Sequence, residues 1–407
     1  MKWKTILHSC AKTLADWYRL ISSILKTLTP FNALRRIATF SEFLYPQIIT
    51  WDRETRAPIP NSGIKLIPWF LISGVAILAA LPTFWIGIRE IISNKKDPEI
   101  SVAHSLIIIF QFCGEFVVIG MIFTLLCKTH EVCYIFGSLL KLSNLGEREG
   151  NSEKTSTLGL FMHGLILCFA SCPPVAGLMP LIVHNIDPTY FWFRNVTWLS
   201  PNLKIVVRMV IIFPLALHIS NLVFCVSVIG SNGILIYLKC LTEMTNMDYR
   251  ITKFCNVSIV KFRKSFAMYK QIYIITTVSN DVLYFILPIG LFSSLLLGIV
   301  FLYVVIVLTG KISLAVTFIA GSISAAIIGM VHLVLPLMAE ITEASGDFMR
   351  GWGITRGLSG GDRKGLKACR LLRIWVGPFQ YVSKSSRMDF ISTLLYYTVS
   401  LIISVKP

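Results

Sequence analysis

The polar residues able to do chemistry in this chain sit inside long apolar runs. Glu115 stands near the middle of the run 104–127, and Arg208 lies about one turn into the run 205–236. A charge at such depth costs about 2.5–3.5 kcal/mol on insertion scales unless water or a partner reaches it. The two differ in depth by about 10 Å, at about 1.5 Å of rise per residue, which leaves direct pairing open. One reading is a hydrogen-bonded or protonated Glu115 inside a helix bundle. The other makes Glu115 and Arg208 polar points in a cavity lined by Phe110, Met179, Phe213, Tyr303 and Phe318, grouped by depth alone. Such a pocket, mostly apolar with a few polar groups, suits a small organic ligand.

The last apolar run carries a sharper pattern. Asp389, Thr393, Tyr397, Ser400 and Ser404 recur at intervals of four, four, three and four, on one helical face. Leu394, Leu395, Leu401, Ile402 and Val405 occupy the remainder, while Ser392 and Thr398 are polar residues off the stripe. A polar stripe along a short spanning helix can wet a pore when several copies face one axis. Hydrogen bonding between helices is the competing use of Ser and Thr. The pore reading lines the channel with Thr393, Tyr397, Ser400 and Ser404 and makes Leu401 an apolar constriction.

Other motifs lead nowhere. Leu358-Ser359-Gly360-Gly361-Asp362 has the form of an ABC-transporter signature loop, but no Gly-x-x-x-x-Gly-Lys-Ser/Thr phosphate loop accompanies it. The seven histidines form no His-Glu-x-x-His pair, and no Gly-x-Ser-x-Gly nucleophile occurs. Cys168 and Cys172 share a helix face, but without a nearby His pair they read as small core residues rather than metal ligands. Neither an enzyme, a cofactor nor a metal is expected.

The elements that must position these groups follow from composition. Of 407 residues, 55% are apolar and only 14% charged, with a mean hydropathy of +0.70. Soluble domains carry about a quarter charged residues, so a soluble enzyme is largely excluded. A helix crosses the hydrocarbon in about 20 apolar residues. Six runs meet that length (66–88, 104–127, 158–183, 205–236, 282–308 and 312–339), and a shorter seventh covers 389–405. With no linker or repeat dividing the chain, residues 66–407 read as one seven-helix, all-α membrane domain. Residues 1–65 form a further region with an amphipathic helix carrying Trp3, Leu7, Leu14, Trp17, Ile21 and Leu28 on one face.

Lys and Arg set the expected orientation. Residues 1–65, 128–157, 237–281 and 340–388 together hold 30, against 7 in the alternate segments. The N-terminus is therefore expected in the cytoplasm and the C-terminus outside. The net charge of +17 then reflects topology and contact with anionic lipid, not nucleic acid. None of the ten cysteines falls in an outer loop, whereas the sequon Asn195-Val-Thr197 does, where Asn195 can be glycosylated. Arg363, Lys364, Lys367, Arg370 and Arg373 alternate with Leu366, Leu371, Leu372 and Ile374, predicting a basic amphipathic helix. With 244–270 it would form an inner platform where subunits meet, or a lipid-facing anchor.

Seven spans in this orientation are the inverse of a G-protein-coupled receptor, and neither Asp-Arg-Tyr nor Asn-Pro-x-x-Tyr appears. The chain resembles the arthropod chemosensory receptor superfamily, the gustatory and odorant receptors, across its length. The likeness is strongest at Lys364-Gly365-Leu366-Lys367, Arg387-Met388-Asp389-Phe390 and Leu394-Leu395-Tyr396-Tyr397-Thr398-Val399-Ser400-Leu401. Gustatory receptors carry Thr-Tyr, five apolar residues and Gln-Phe in the last helix. Tyr397 matches that Tyr, but Tyr396 stands in place of Thr and Ile403-Ser404 in place of Gln-Phe. The resemblance implies a homo- or heterotetrameric, ligand-gated, non-selective cation channel in the plasma membrane. It also implies a small tastant or odorant bound in the outer half of the bundle and a pore lined by the last helix. A secondary transporter is the alternative, although Pro173-Pro174 and Pro180 in the third run have no counterpart in another half.

Overall fold

The computed structural model of the chain describes residues 28–52, 57–93, 97, 100, 102–144, 157–182, 187, 189–245, 255–312, 314–354 and 358–404. The amphipathic helix expected over the first 28 residues lies almost wholly outside them. The chain then forms α1 (Pro30–Leu44), a hairpin of β1 (Ile49–Trp51) and β2 (Pro58–Pro60), and α2 (Ile67–Ile92). Next come α3 (Val102–Asn144), α4 (Thr157–Ile182), the short α5 (Tyr190–Phe193), α6 (Pro201–Thr245) and α7 (Cys255–Tyr303). After α8 (Leu314–Ile354) and α9 (Gly360–Ala368), a small hairpin of β3 (Trp375–Val376) and β4 (Gln380–Tyr381) leads into α10 (Ser386–Ser404).

Six of these helices, α2, α3, α4, α6, α7 and α8, are long and apolar enough to cross a membrane, and α10, of 19 residues, takes the seventh place in the bundle. The architecture is the expected all-α membrane bundle. Its helices, however, run well past the apolar runs. α3, α6, α7 and α8 have 43, 45, 49 and 41 residues, about twice what a bilayer needs. Residues 128–144, 237–245, 259–281 and 340–354, read from the sequence as loops, continue the same four helices. Hydropathy registers where a helix leaves lipid, not where its backbone hydrogen bonding stops. In α3 the exit is marked at Lys128, whose backbone departs from helical geometry (φ −126°, ψ 22°). Its ammonium meets Asp281 of α7.

The extensions share the largest cluster of buried apolar residues. Tyr269 of α7 stacks on Phe348 of α8 with centroids 4.7 Å apart, and Phe262 meets Trp352 edge-on at 5.1 Å. Leu139, Leu241, Leu366 and Leu372 close the cluster from α3, α6, α9 and the segment after it. The basic helix predicted over 363–374 is cut short here and ends at Ala368. The backbone beyond it is bound by side chains of neighbouring helices. Tyr269 Oη donates to the Arg370 carbonyl (2.8 Å), Ser345 Oγ accepts from the Leu372 N–H (3.1 Å), and Asn280 holds Arg373 and Trp375 at 2.8 and 2.9 Å. The Leu-Ser-Gly-Gly-Asp motif is a helix cap, with Ser359 Oγ accepting from the Asp362 N–H at 3.1 Å.

α6 runs through the centre, packed against α3, α4 and α8, while α1 lies on α4 and α6. At the end of the bundle away from α9, α7 closes in a π turn (Val304–Leu308) and reverses at Gly310, whose φ of +83° favours glycine. α10 packs on α7 and α8. There Leu394 fills the space beside Gly298, so a Cβ at 298 would lie 2.8 Å from Leu394 Cδ1. Small residues permit this kind of approach between membrane helices. Gly298→Leu is expected to destabilise the protein by about 1–3 kcal/mol through overpacking. Thermal unfolding in detergent checks this, with Gly290→Leu, where no atom lies within 4 Å of the added Cβ, as the comparison.

Candidate ligand site and last helix

Glu115 and Arg208 acquire separate partners. Glu115 is buried between α3 and α2, accepting from Gln111 Nε2 at 2.5 Å and Thr83 Oγ1 at 3.4 Å. Gln111, four residues earlier, lies one turn away on the same face, so the pair is preorganised by helix geometry. Glu115 Oε2 and Gln111 Oε1 are both buried without a hydrogen-bond partner among the described residues. Two buried acceptors thus stand ready for a donor.

Arg208 is paired with Asp187, which the sequence reading did not single out. The two form an ion pair, with side chains 4% and 0% exposed, and Arg208 Nε reaches Asp187 Oδ1 at 3.3 Å. The Arg208 guanidinium also lies 5.6 Å from the Tyr190 ring centroid. Asp187 and Thr189 precede α5, and Asp187 accepts from the Thr189 backbone N–H at 3.1 Å. The arginine therefore ties the segment carrying α5 to α6. Asp187 was legible only as an acid in a loop, because its partner is 21 positions away.

The aromatic candidates enter several contacts. Phe110 meets Phe301 at 5.4 Å, and Tyr303 is buried with Phe301, Val304 and Leu308. Phe213 packs its Cβ against Gly177 while its ring is partly exposed, and Met179 is half-buried. Phe318 is 74% exposed on α8. A polar network that went unnoticed lies elsewhere. Tyr45 Oη and Ser73 Oγ hydrogen-bond the two ring nitrogens of the fully buried His218, at 2.6 and 2.9 Å. Asn221 Nδ2 donates to Gln47 Oε1 at 2.8 Å. The spacing of His218 and Asn221, three apart within an apolar run, was the available signal.

Along α10, Leu394 and Thr398 are buried, and Thr398 Oγ1 donates to the Leu394 carbonyl at 2.7 Å. Leu401 and Ile402 are partly buried against the Tyr303 cluster. Tyr397 and Ser404 are exposed, and Thr393 and Ser400 are half-exposed. The polar stripe thus flanks the buried face and remains accessible from outside the chain. Leu395, Tyr396, Val399 and Ile403 extend that accessible surface on its other side.

This fold is shared with solved insect olfactory receptor structures. One is the insect olfactory receptor OR5 from Machilis hrabei in complex with eugenol. It is 14% identical with a TM-score of 0.67, over 91% of this chain and 98% of that one. A second structure of the same receptor aligns with a TM-score of 0.64 at 11% identity, covering 96% of this chain and 100% of the other. The sequence matches no protein-family model and no curated protein. The chain is thus a multi-pass, all-α membrane protein with the insect olfactory receptor fold. Its seven crossing helices match the architecture expected from the sequence.

Arg208→Leu would strand Asp187 as a buried unpaired charge. A loss of about 3–5 kcal/mol is expected. Arg208→Leu combined with Asp187→Leu should recover most of it, because the uncompensated charge is gone. Thermal unfolding of the three variants in detergent checks both expectations.

Proposed function

We propose that this chain is a chemosensory receptor of the plasma membrane, acting as a subunit of a ligand-gated cation channel, homo- or heterotetrameric. The observation that carries the proposal is a fold shared with an olfactory receptor over 91% of this chain and 98% of that one, in a structure that holds a small organic molecule. Apolar helices with a few buried polar groups give the chain the means to bind such a ligand.

In this reading the N-terminus and the α9 end face the cytoplasm and the C-terminus faces outside. The distribution of Lys and Arg supports it. The ligand occupies the outer half of the bundle, near Phe110, Glu115, Met179, Arg208, Phe213, Tyr303 and Phe318. A ligand hydroxyl there can donate to the free acceptors Glu115 Oε2 and Gln111 Oε1. Arg208 serves the site by holding Asp187, since its charge is already neutralised. Asn195 is exposed on the same side and is the candidate glycosylation site.

The α10 helices of the subunits line the pore with Thr393, Tyr397, Ser400 and Ser404. Leu401 borders the stripe and leans on the Tyr303 cluster, so movement of α7 can be passed to the constriction. A ligand opens such a pore only to the extent that it binds the open state better than the closed one.

Cells expressing this chain alone should pass ligand-evoked cation current within a panel of small organic odorants and tastants, and an epitope placed after Pro407 should be labelled without permeabilisation. Uptake of ligand without a current beyond its own charge would favour a transporter instead. Cysteine scanning of α10 gives a second expectation. Cysteines at Tyr397, Ser400 and Ser404 should react with an aqueous thiol reagent and lower the current several-fold. Cysteines at Leu394 and Thr398 should stay unreactive.

A further inference from the structure

A cavity of about 220 Å³ lies at the end of the bundle away from α9, between the C-terminal end of α2 and the α5 segment. It is separate from the Glu115 site. Pro82, Trp85, Ile86, Arg89 and Glu90 of α2 line it, and neither Thr83, Gln111 nor Glu115 is among its lining residues. Thr83, which reaches Glu115, falls on the same side of α2 as Ile86 and Glu90 but about 10 Å short of Glu90 along the helix axis, seven residues at about 1.5 Å each.

The lining defines the chemistry of an occupant. Its charges balance, with Arg89 and Arg194 against Glu90 and Asp97. Asp97 is already paired: one oxygen takes both guanidiniums, Arg89 at 3.1 Å and Arg194 at 2.6 Å. Glu90 accepts from the Asp97 backbone N–H at 3.4 Å. A carboxylate ligand would meet two acids, and an ammonium ligand two arginines, so neither sign of charge is favoured. What remains is apolar and aromatic surface from Trp85, Phe191 and Trp192, the exposed amide of Asn195, and one buried donor without a partner. The Trp192 indole N–H is buried and has no acceptor among the described residues. Buried indole N–H groups normally find a partner. A cavity of about 150 Å³ accommodates benzene, so the present one has room for a ring with a short substituent.

We propose that this cavity is a binding site for a neutral, single-ring organic molecule carrying an acceptor oxygen, with the ring between the tryptophans and the oxygen on Trp192 Nε1. The site lies beside the outer connections of the bundle, apart from the ligand position near Glu115. It adds a second place of recognition to the receptor reading. Arg194 braces it, as its guanidinium sits 5.2 Å from the Phe191 ring centroid while pairing with Asp97.

The test measures binding to the purified full-length chain in lipid nanodiscs by equilibrium dialysis, with no current required. Three radiolabelled probes of one size are compared: acetophenone, ethylbenzene, which lacks the acceptor, and benzoate, which is charged. Acetophenone should bind more tightly than the other two. Trp192→Phe retains the ring and removes the donor, and should weaken acetophenone about two- to tenfold while leaving ethylbenzene unchanged. Ile86→Trp, which fills the cavity, should abolish that component of acetophenone binding, whereas Glu115→Leu should not alter it. If Trp192→Phe binds acetophenone as the parent does, the proposal falls, even should the filling variant fail to fold. Because binding is read directly, a chain that conducts no evoked current still answers the question, and loss of this site leaves the channel reading standing.

Discussion

A backbone that crosses hydrocarbon finds no water for its N–H and C=O groups, and the rest of this structure follows from that constraint. Helices satisfy those groups within themselves, so every crossing segment is helical, including α4 with its three prolines at 173, 174 and 180. Irregular backbone is confined to places where side chains can bind it. The stretch between α9 and α10 illustrates this. Its N–H and C=O groups are taken by Ser345, Tyr269 and Asn280, and its apolar side chains enter the cluster around Tyr269 and Phe348.

The same helices work in two solvents. In lipid, apolar burial between helices offers little drive, and close approach through small residues takes its place, as at Gly298 against Leu394 and Gly177 against Phe213. Beyond the apolar runs, water restores the hydrophobic effect. There α3, α6, α7 and α8 gather a core of large aromatic and aliphatic side chains. Each of these helices therefore links a densely packed apolar core at one end to the membrane part at the other. α10 begins at the first and runs into the second, a suitable connection for carrying movement between them.

Several buried polar residues in the membrane part are held by a partner from another segment, or from one turn of their own helix. Arg208 has Asp187, Glu115 has Gln111 and Thr83, and His218 has Tyr45 and Ser73. Glu115 Oε2, Gln111 Oε1, His163 Nε2, Ser324 Oγ and the Trp192 indole N–H are among the buried atoms left without a partner in the described residues, and the first two and the last belong to the candidate sites. Pairing of Arg208 with Asp187 and of Asp97 with two arginines removes net charge from the surroundings of both candidate sites.

Seven spans, the helical class and the amphipathic stripe of α10 were legible from the chain alone. Hydropathy and helical periodicity are properties of near neighbours, and a bilayer imposes a length that can be counted. The importance of Glu115 and Arg208 was also legible, since a charge within an apolar run is costly wherever it ends up. Their partners were not: Arg208 joins Asp187 across 21 positions, and His218 joins Tyr45 across 173. Nor were the helical extensions, whose alternation of charged and apolar residues resembles a loop until packing gives their apolar faces a common core. The end of α9 was likewise decided by side chains from α7 and α8 claiming its backbone. Local composition settled which segments enter the membrane; only contacts between distant segments decided which polar atoms are satisfied and which remain free to bind.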